Sequence, residues 1–362
     1  MRYVYSEDHA RHAPTRELEL SRFQEPFEHP GRATAIHDAL RADPTFEVVA
    51  PESWGTEPIS AVHDPGLVAF LSTAWERYQE EVGPTHDVVP DVFLHPAVRD
   101  GMGPAPEPTP VAMQLGRWCF ETTTPLTDGT YVAARSSVDV ALTAAALVLR
   151  DGDRAAFGLC RPPGHHAATA AYGGYCFFNN AAVAAHRAAT AGARVALLDV
   201  DYHHGNGSQQ IFYDRDDVLF ASIHADPVRA YPYTTGFADE TGTGRGLGAT
   251  LNVPLAAGAG DVELAGALER ALEVVARHRP DVVVVSLGLD MYESDPIADL
   301  RVTREGFHAS GRAVRELGVP TVVLQEGGYA TDELGRNATA WLRGLAGEPE
   351  GPDHRPGPDD PL

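Results

Sequence analysis

Five short apolar runs in this 362-residue chain each end in a burst of polar residues. FGLC (157–160) leads into RPPGHHA, VALL (195–198) into DVDYHHGNG, VLFA (218–221) into SIHAD, VVVV (282–285) into SLGLD, and TVVL (321–324) into QEGGY. Alanine-rich stretches with helical spacing lie between them, at 138–149, 180–191, 263–276 and 304–317. Runs this short and this uniformly apolar, alternating with helices, predict parallel strands buried on both faces. The fold class is α/β, a mostly parallel central sheet flanked by helices. Ligands of such sheets bind beyond the carboxyl ends of the strands. All five runs deliver their polar residues to that edge, so the functional site is expected there.

The rest of the sequence narrows the class. An apolar fraction of 43% is enough for a large core. The chain reads as one catalytic unit over 1–345 with a disordered tail over 346–362. The Pro-rich segment 84–110 reads as a long surface loop. A formal charge of −23 with no basic stripe argues against nucleic acid as a partner. Cys119, Cys160 and Cys176 form no CxxC pair, which points to a reducing compartment. The opening MRYVYSEDHA has no apolar signal core, and no run approaches ~18 apolar residues. A cytoplasmic protein with no membrane partner is expected.

Asp199, Asp201 and His203 stand at i, i+2 and i+4 in DVDYH, the spacing that puts side chains on one side of a strand. Two like charges that close repel unless a cation or proton separates them. A divalent ion on Asp201 and His203 resolves this; the alternative is a hydrogen-bonded strand end capping the Gly-rich turn. Asp290, after VVVVSLGL, is a third ligand or a turn residue. An Asp–His–Asp set leaves coordination positions open, the pattern of a catalytic metal, with zinc first and iron, cobalt or manganese as alternatives. His165 and His166 follow a rigid Arg-Pro-Pro-Gly turn and suit acid–base chemistry, with Asp199 orienting one and Asn206 the other. Tyr329 is either an oxyanion donor or a packed tyrosine. Cys176 and one of Phe177 or Phe178 read as core, and His204 and His224 as structural.

The ordered set RPPGHHA, GGYCFFNN, DVDYHHGNG, SIHAD, SLGLDMYESDP and EGGY resembles the zinc-dependent histone deacetylase and acetylpolyamine amidohydrolase family. YSEDH and FADETGTG are most similar to the bacterial acetylpolyamine amidohydrolases. The resemblance implies the arginase–deacetylase fold and hydrolysis of an N-acetyl amide to acetate and a free amine. It implies one Zn²⁺ on Asp201, His203 and Asp290, and a structural K⁺ near Asp199, Asp201, His203 and Ser222. His166 would be general base and then acid, with His165 as electrostatic partner, and Tyr329 would polarise the carbonyl. Tyr175 and Tyr231 would flank the substrate tunnel, and the Gly174 carbonyl would accept the substrate N–H. A homodimer is implied as well.

One departure bears on the substrate. Alignment through GRWC and DGTY puts Ala112 and Thr123 where polyamine-cleaving relatives are expected to carry acids, with Arg117 nearby. Glu121 and Glu19 are the candidates to replace them. The leading substrate is a small acetylated amine, a polyamine first; another acetylated small molecule, such as a biosynthetic intermediate, and a protein acyl-lysine are the alternatives.

Overall fold

The computed structural model describes residues 1–95, 97, 100–103 and 110–350. Its strands are β1 (Arg2–Val4), β2 (Glu17–Glu19), β3 (Arg22–Gln24), β4 (Glu47–Val49), β5 (Ala155–Gly158), β6 (Val195–Asp199), β7 (Val218–Ala225), β8 (Thr250–Leu255), β9 (Val282–Leu287) and β10 (Thr321–Gln325). Eight form one sheet in the order β4-β1-β5-β10-β9-β6-β7-β8, with every pairing parallel. β2 and β3 make a separate antiparallel hairpin.

The period of two along each central strand feeds two cores. Leu197, Phe220, Val284 and Leu324 join one cluster with the helices Thr130–Leu149 and Asn180–Thr190. Leu198, Leu219, Val285 and Val323 join the other with the helices Gly31–Ala42, Asp261–His278 and Thr331–Ala346. Each such side chain, fully removed from water, contributes roughly 1.5–3 kcal/mol. The helix Thr130–Leu149 is long and apolar enough to cross a membrane, but 83% of that stretch is buried in the first core.

The predicted runs and the strands agree closely, with one shift. The FGLC run is displaced: β5 covers Ala155–Gly158 and ends before Cys160. The two prolines that follow Arg161 have no N–H to give a ladder, so pairing stops short of them. β1, β4 and β8 carried no clear sequence signal; β8 holds Pro254 and survives because it is an edge strand. Part of the 84–110 segment is anchored: Asp87 and Val88 are buried, and Val88 bridges Leu126. Residues 96, 98, 99 and 104–109 of that segment, and 351–362 of the expected tail, lie outside the described residues.

Candidate active site

The loops after β5, β6, β9 and β10 meet at the carboxyl edge of the sheet. β6 ends on Asp199, so the strand-like alternation expected through His203 does not continue. Two Asx-type turns replace it. Asp199 Oδ1 accepts from the Asp201 amide at 3.2 Å, and Asp201 Oδ1 accepts from the His203 amide at 2.8 Å. The turns bring Asp201 and His203 together and leave the second Asp199 oxygen facing His165.

Asp290 enters from the loop after β9, where its Oδ1 accepts from the Tyr202 amide at 2.9 Å. One donor atom from each of Asp201, His203 and Asp290 lies within 4.8 Å of the others. His203 Nδ1 is 3.1 Å from Asp290 Oδ2 and 3.4 Å from Asp201 Oδ1. Among the described residues no other trio of His, Cys, Asp or Glu converges this way.

The chemistry of this donor set fits a divalent cation. Both carboxylates are fully buried. Burial, and then the charge on Asp201, push the Asp290 carboxyl up from its ordinary range. Burial works against ionisation of Asp201 too, but His165 and His203 hold its carboxyl low. His203 resists burial and is raised to about 9 by the two carboxylates. Backbone alone closes the cradle at Gly327, where a Cβ would lie 2.3 Å from Asp290 Oδ2 and 2.7 Å from Asp201 Oδ2. The Gly327 amide donates to Asp201 Oδ2 at 2.8 Å instead. Oxygen and nitrogen donors without thiolate suit zinc.

The two histidines differ in surroundings. His165 Nδ1 is 3.0 Å from Asp199 Oδ2; burial lowers its pKa, but Asp201 and Asp199 overcome it and raise it to about 10. His166 Nδ1 is 2.6 Å from the neutral Asn206 Oδ1. Burial, and then His165 and His203, hold His166 well below its ordinary value. The two rings, one pushed up and the other down, sit 4.0 Å apart, centroid to centroid. Gly174 makes room for the neutral ring. It has φ +60°, and a Cβ there would stand 2.4 Å from His166 Cδ2.

A cavity of about 190 Å³ opens above His166 and His203, with Gly174, Tyr175, Tyr231 and Tyr329 in its wall. The Tyr231 ring meets the His166 ring edge-on at 4.9 Å. Tyr329 is buried, 5.8 Å from the Tyr175 ring, and burial pushes its phenol well above the usual range. The mouth is formed by Leu18, Glu19 and Leu20 of the β2–β3 hairpin with Glu121, Thr122 and Thr123. Glu121 and Glu19 therefore reach the cavity beside Thr123. Ala112 and Arg117 lie outside its lining, and Arg117 stacks on Trp118 at 4.9 Å. Among the described residues, 84–110 contributes nothing to the wall; the hairpin, unforeseen in the sequence, does.

Other residues that sequence reasoning missed stand behind these. Glu326 accepts from the amides of Gly164 at 2.6 Å and His165 at 3.1 Å. Arg32 lies 4.6 Å over the Tyr329 ring and donates to the carbonyls of Glu326 and Gly328 at 2.7 and 2.6 Å. Arg32 and Arg161 share the buried Glu28, which burial would raise but the two cations hold at about 2. All but the Arg32–Glu28 pair, four residues apart, are long-range contacts; the acid at 326 is also marked by standing directly after an apolar strand. His204 bonds Thr235 and Gln209, and His224 bonds Ser222 and the Gly236 carbonyl, away from the cavity.

The chain resembles known proteins over nearly its whole length. A profile of the histone deacetylase domain matches residues 26–345. Acetylpolyamine amidohydrolase 1 of Pseudomonas aeruginosa is 46% identical over 346 residues, 95% of this chain and 98% of that protein. The acetylpolyamine amidohydrolase of Mycoplana ramosa is 43% identical over 349 residues, 96% of this chain and 100% of that protein. A crystal structure of acetylpolyamine aminohydrolase from Burkholderia pseudomallei superposes with a TM-score of 0.88 at 38% identity, covering 96% of this chain and 98% of that one.

Proposed function

Because this chain belongs to the histone deacetylase family, we propose that it hydrolyses the N-acetyl amide of a small amine, an acetylpolyamine first, to acetate and the free amine. One observation carries the reading: His203, clustered with the buried Asp201 and Asp290, lines one cavity together with His166 and Tyr329. Residues 1–345 act as one catalytic unit in this proposal.

Asp201, His203 and Asp290 would hold a zinc ion, which would supply Lewis acidity toward the amide carbonyl and lower the pKa of water. The protein groups do the rest. Asn206 Oδ1 accepts from His166 Nδ1–H, which leaves Nε2 free to take a proton from the attacking water. His165, charged against Asp199, favours negative charge developing nearby. Tyr329, kept protonated by burial, donates to the developing oxyanion. The Gly174 carbonyl accepts the amide N–H between Tyr175 and Tyr231. His166 then gives its proton to the leaving nitrogen, which departs as the amine. Glu19 faces the ammonium group at the far end of the substrate, while the Glu121 carboxylate accepts from Thr123, Thr124 and the Gly174 amide.

A second reading, an acetylated small molecule other than a polyamine, is favoured by Thr123, a hydroxyl on the wall where an acid was expected. Turnover of N-acetylputrescine against an acetyl-lysine peptide and an acetylated amino sugar, with metal-assayed protein, tests the choice. We expect N-acetylputrescine to be cleaved best, with one acetate per amine. No acetate release from any of the three overturns the reading.

A structural K⁺ near Asp199, Asp201, His203 and Ser222 belongs to the same proposal; the parallel register sets Asp199 beside Ser222. So does a homodimer, supported by Leu20 and Phe23, which stand 88% and 61% exposed on the hairpin at the mouth. A cytoplasmic setting is supported by three buried, free cysteines.

A further inference from the structure

We infer that Asp295 is the positioning residue that holds Tyr329 at the reacting centre. The inference rests on the function proposed above and extends it to a residue outside the cavity lining. Asp295 stands in the ESDP stretch after the metal-ligand loop and is 7% exposed. Its Oδ2 accepts from the Tyr329 amide at 2.7 Å and from the Ala330 amide at 3.2 Å. Its Oδ1 accepts from the Ile297 amide at 3.1 Å, and Ile297 lines the cavity. The Asp295 amide itself donates to the Tyr292 carbonyl at 2.9 Å. One carboxylate therefore ties the backbone of the tyrosine to the backbone of Ile297, a second residue of the cavity wall.

The need for such a tie follows from the local sequence. Tyr329 follows Gly327 and Gly328, and Gly328 has φ +119°, a conformation open to glycine and costly to other residues. A two-glycine turn has little stiffness of its own. The other groups of the turn are fixed at its near end: the Gly327 amide by Asp201, and the Gly328 carbonyl by Arg32. Past Gly328 the tyrosine amide depends on Asp295. A phenol donor is effective only within a few tenths of an ångström of the oxyanion position, so loosening this one amide moves the donor while the metal ligands stay in place.

A double-mutant cycle with Y329F tests this on metal-loaded enzyme with N-acetylputrescine. D295A is expected to lower kcat about 10- to 100-fold, with KM within about threefold and metal near one per chain. D295N keeps an acceptor oxygen for the two amides and is expected to recover most of that loss. In the Y329F background, D295A should add little, because the donor it positions is already gone. Losses that multiply in the double variant, or a D295A enzyme with full kcat and only a lower Tm, overturn the inference. Should D295A fail to fold, D295N paired with Y329F runs the same cycle with a loss of about three- to tenfold. Y329F alone separates the two levels. Full turnover there removes the tyrosine from the reaction and this inference with it, whereas a crippled Y329F with multiplying losses overturns only the role of Asp295.

Discussion

The base and the mouth of the cavity are built on different terms. At the base, Asp199, Asp201, Asp290 and Glu326 are fully buried, and each accepts hydrogen bonds or faces an imidazole. They project from consecutive strand ends of an eight-stranded sheet, so their positions are set by the main core. At the mouth, Leu20, Phe23 and Tyr233 are exposed, and part of the wall comes from a hairpin of three-residue strands. The Tyr231 hydroxyl, between the two zones, is buried without a partner. Buried, satisfied networks are stiff and costly to alter, while lightly packed appended segments vary at little cost. Under the proposed function, the bond that is cleaved is set by the sheet edge, and the amine that is accepted by the hairpin together with Glu121, Thr122 and Thr123.

Substitutions break the comparison in a defined order. Replacing a ligand, as in D201A, should take bound metal from near one per chain to near zero and activity to background, read by metal analysis and acetate release. H166A should keep the metal and lose about 10²- to 10⁴-fold in kcat; loss of metal in that variant would move His166 into the ligand set. Y329F should lose about 10²- to 10³-fold in kcat, the range for one oxyanion donor. At the mouth, E19Q should leave kcat alone and raise KM for N-acetylputrescine about three- to tenfold, with no change for a neutral N-alkylacetamide, since a half-exposed charge contributes ~1 kcal/mol. Equal changes for both substrates would divorce Glu19 from the ammonium group.

Stability separates the zones in the same way. Glu28 sits buried between Arg161 at 2.7 Å and Arg32 at 3.0 Å behind Tyr329. Removing its charge with E28Q leaves two buried cations uncompensated, and about 3–5 kcal/mol of stability should be lost. The sign with pH follows from its lowered pKa. Glu28 goes from an ordinary 4.5 to about 2 in the fold, so its contribution is whole above pH 4.5 and disappears as pH falls toward 2. The Tm gap between wild type and E28Q should close over that window and be constant above it.

Most of the base was legible in the sequence, because Asp199, Asp201 and Asp290 stand at or just past the ends of apolar runs and a strand end is a local feature; Glu326, in the same setting, was missed. Even there the physical route differed, since Asx-type turns and not strand alternation aim Asp201 and His203. The mouth was hardly legible. Its hairpin is short and mixed in polarity, and β8, β4 and β1 are too brief or too irregular to announce themselves. The supporting residues were invisible for another reason. Arg32 reaches carbonyls 294 and 296 residues away, and Asp295 reaches amides 34 and 35 residues on. No spacing rule links positions that only the closed sheet brings together.

Anomalous X-ray scattering from crystals of the metal-loaded protein, collected across the zinc edge, tests the central claim most directly. We predict one strong peak per chain, within bonding distance of Asp201, His203 and Asp290. A metal-loaded, active protein with no peak at that trio, or with its peak on other side chains, would contradict the account.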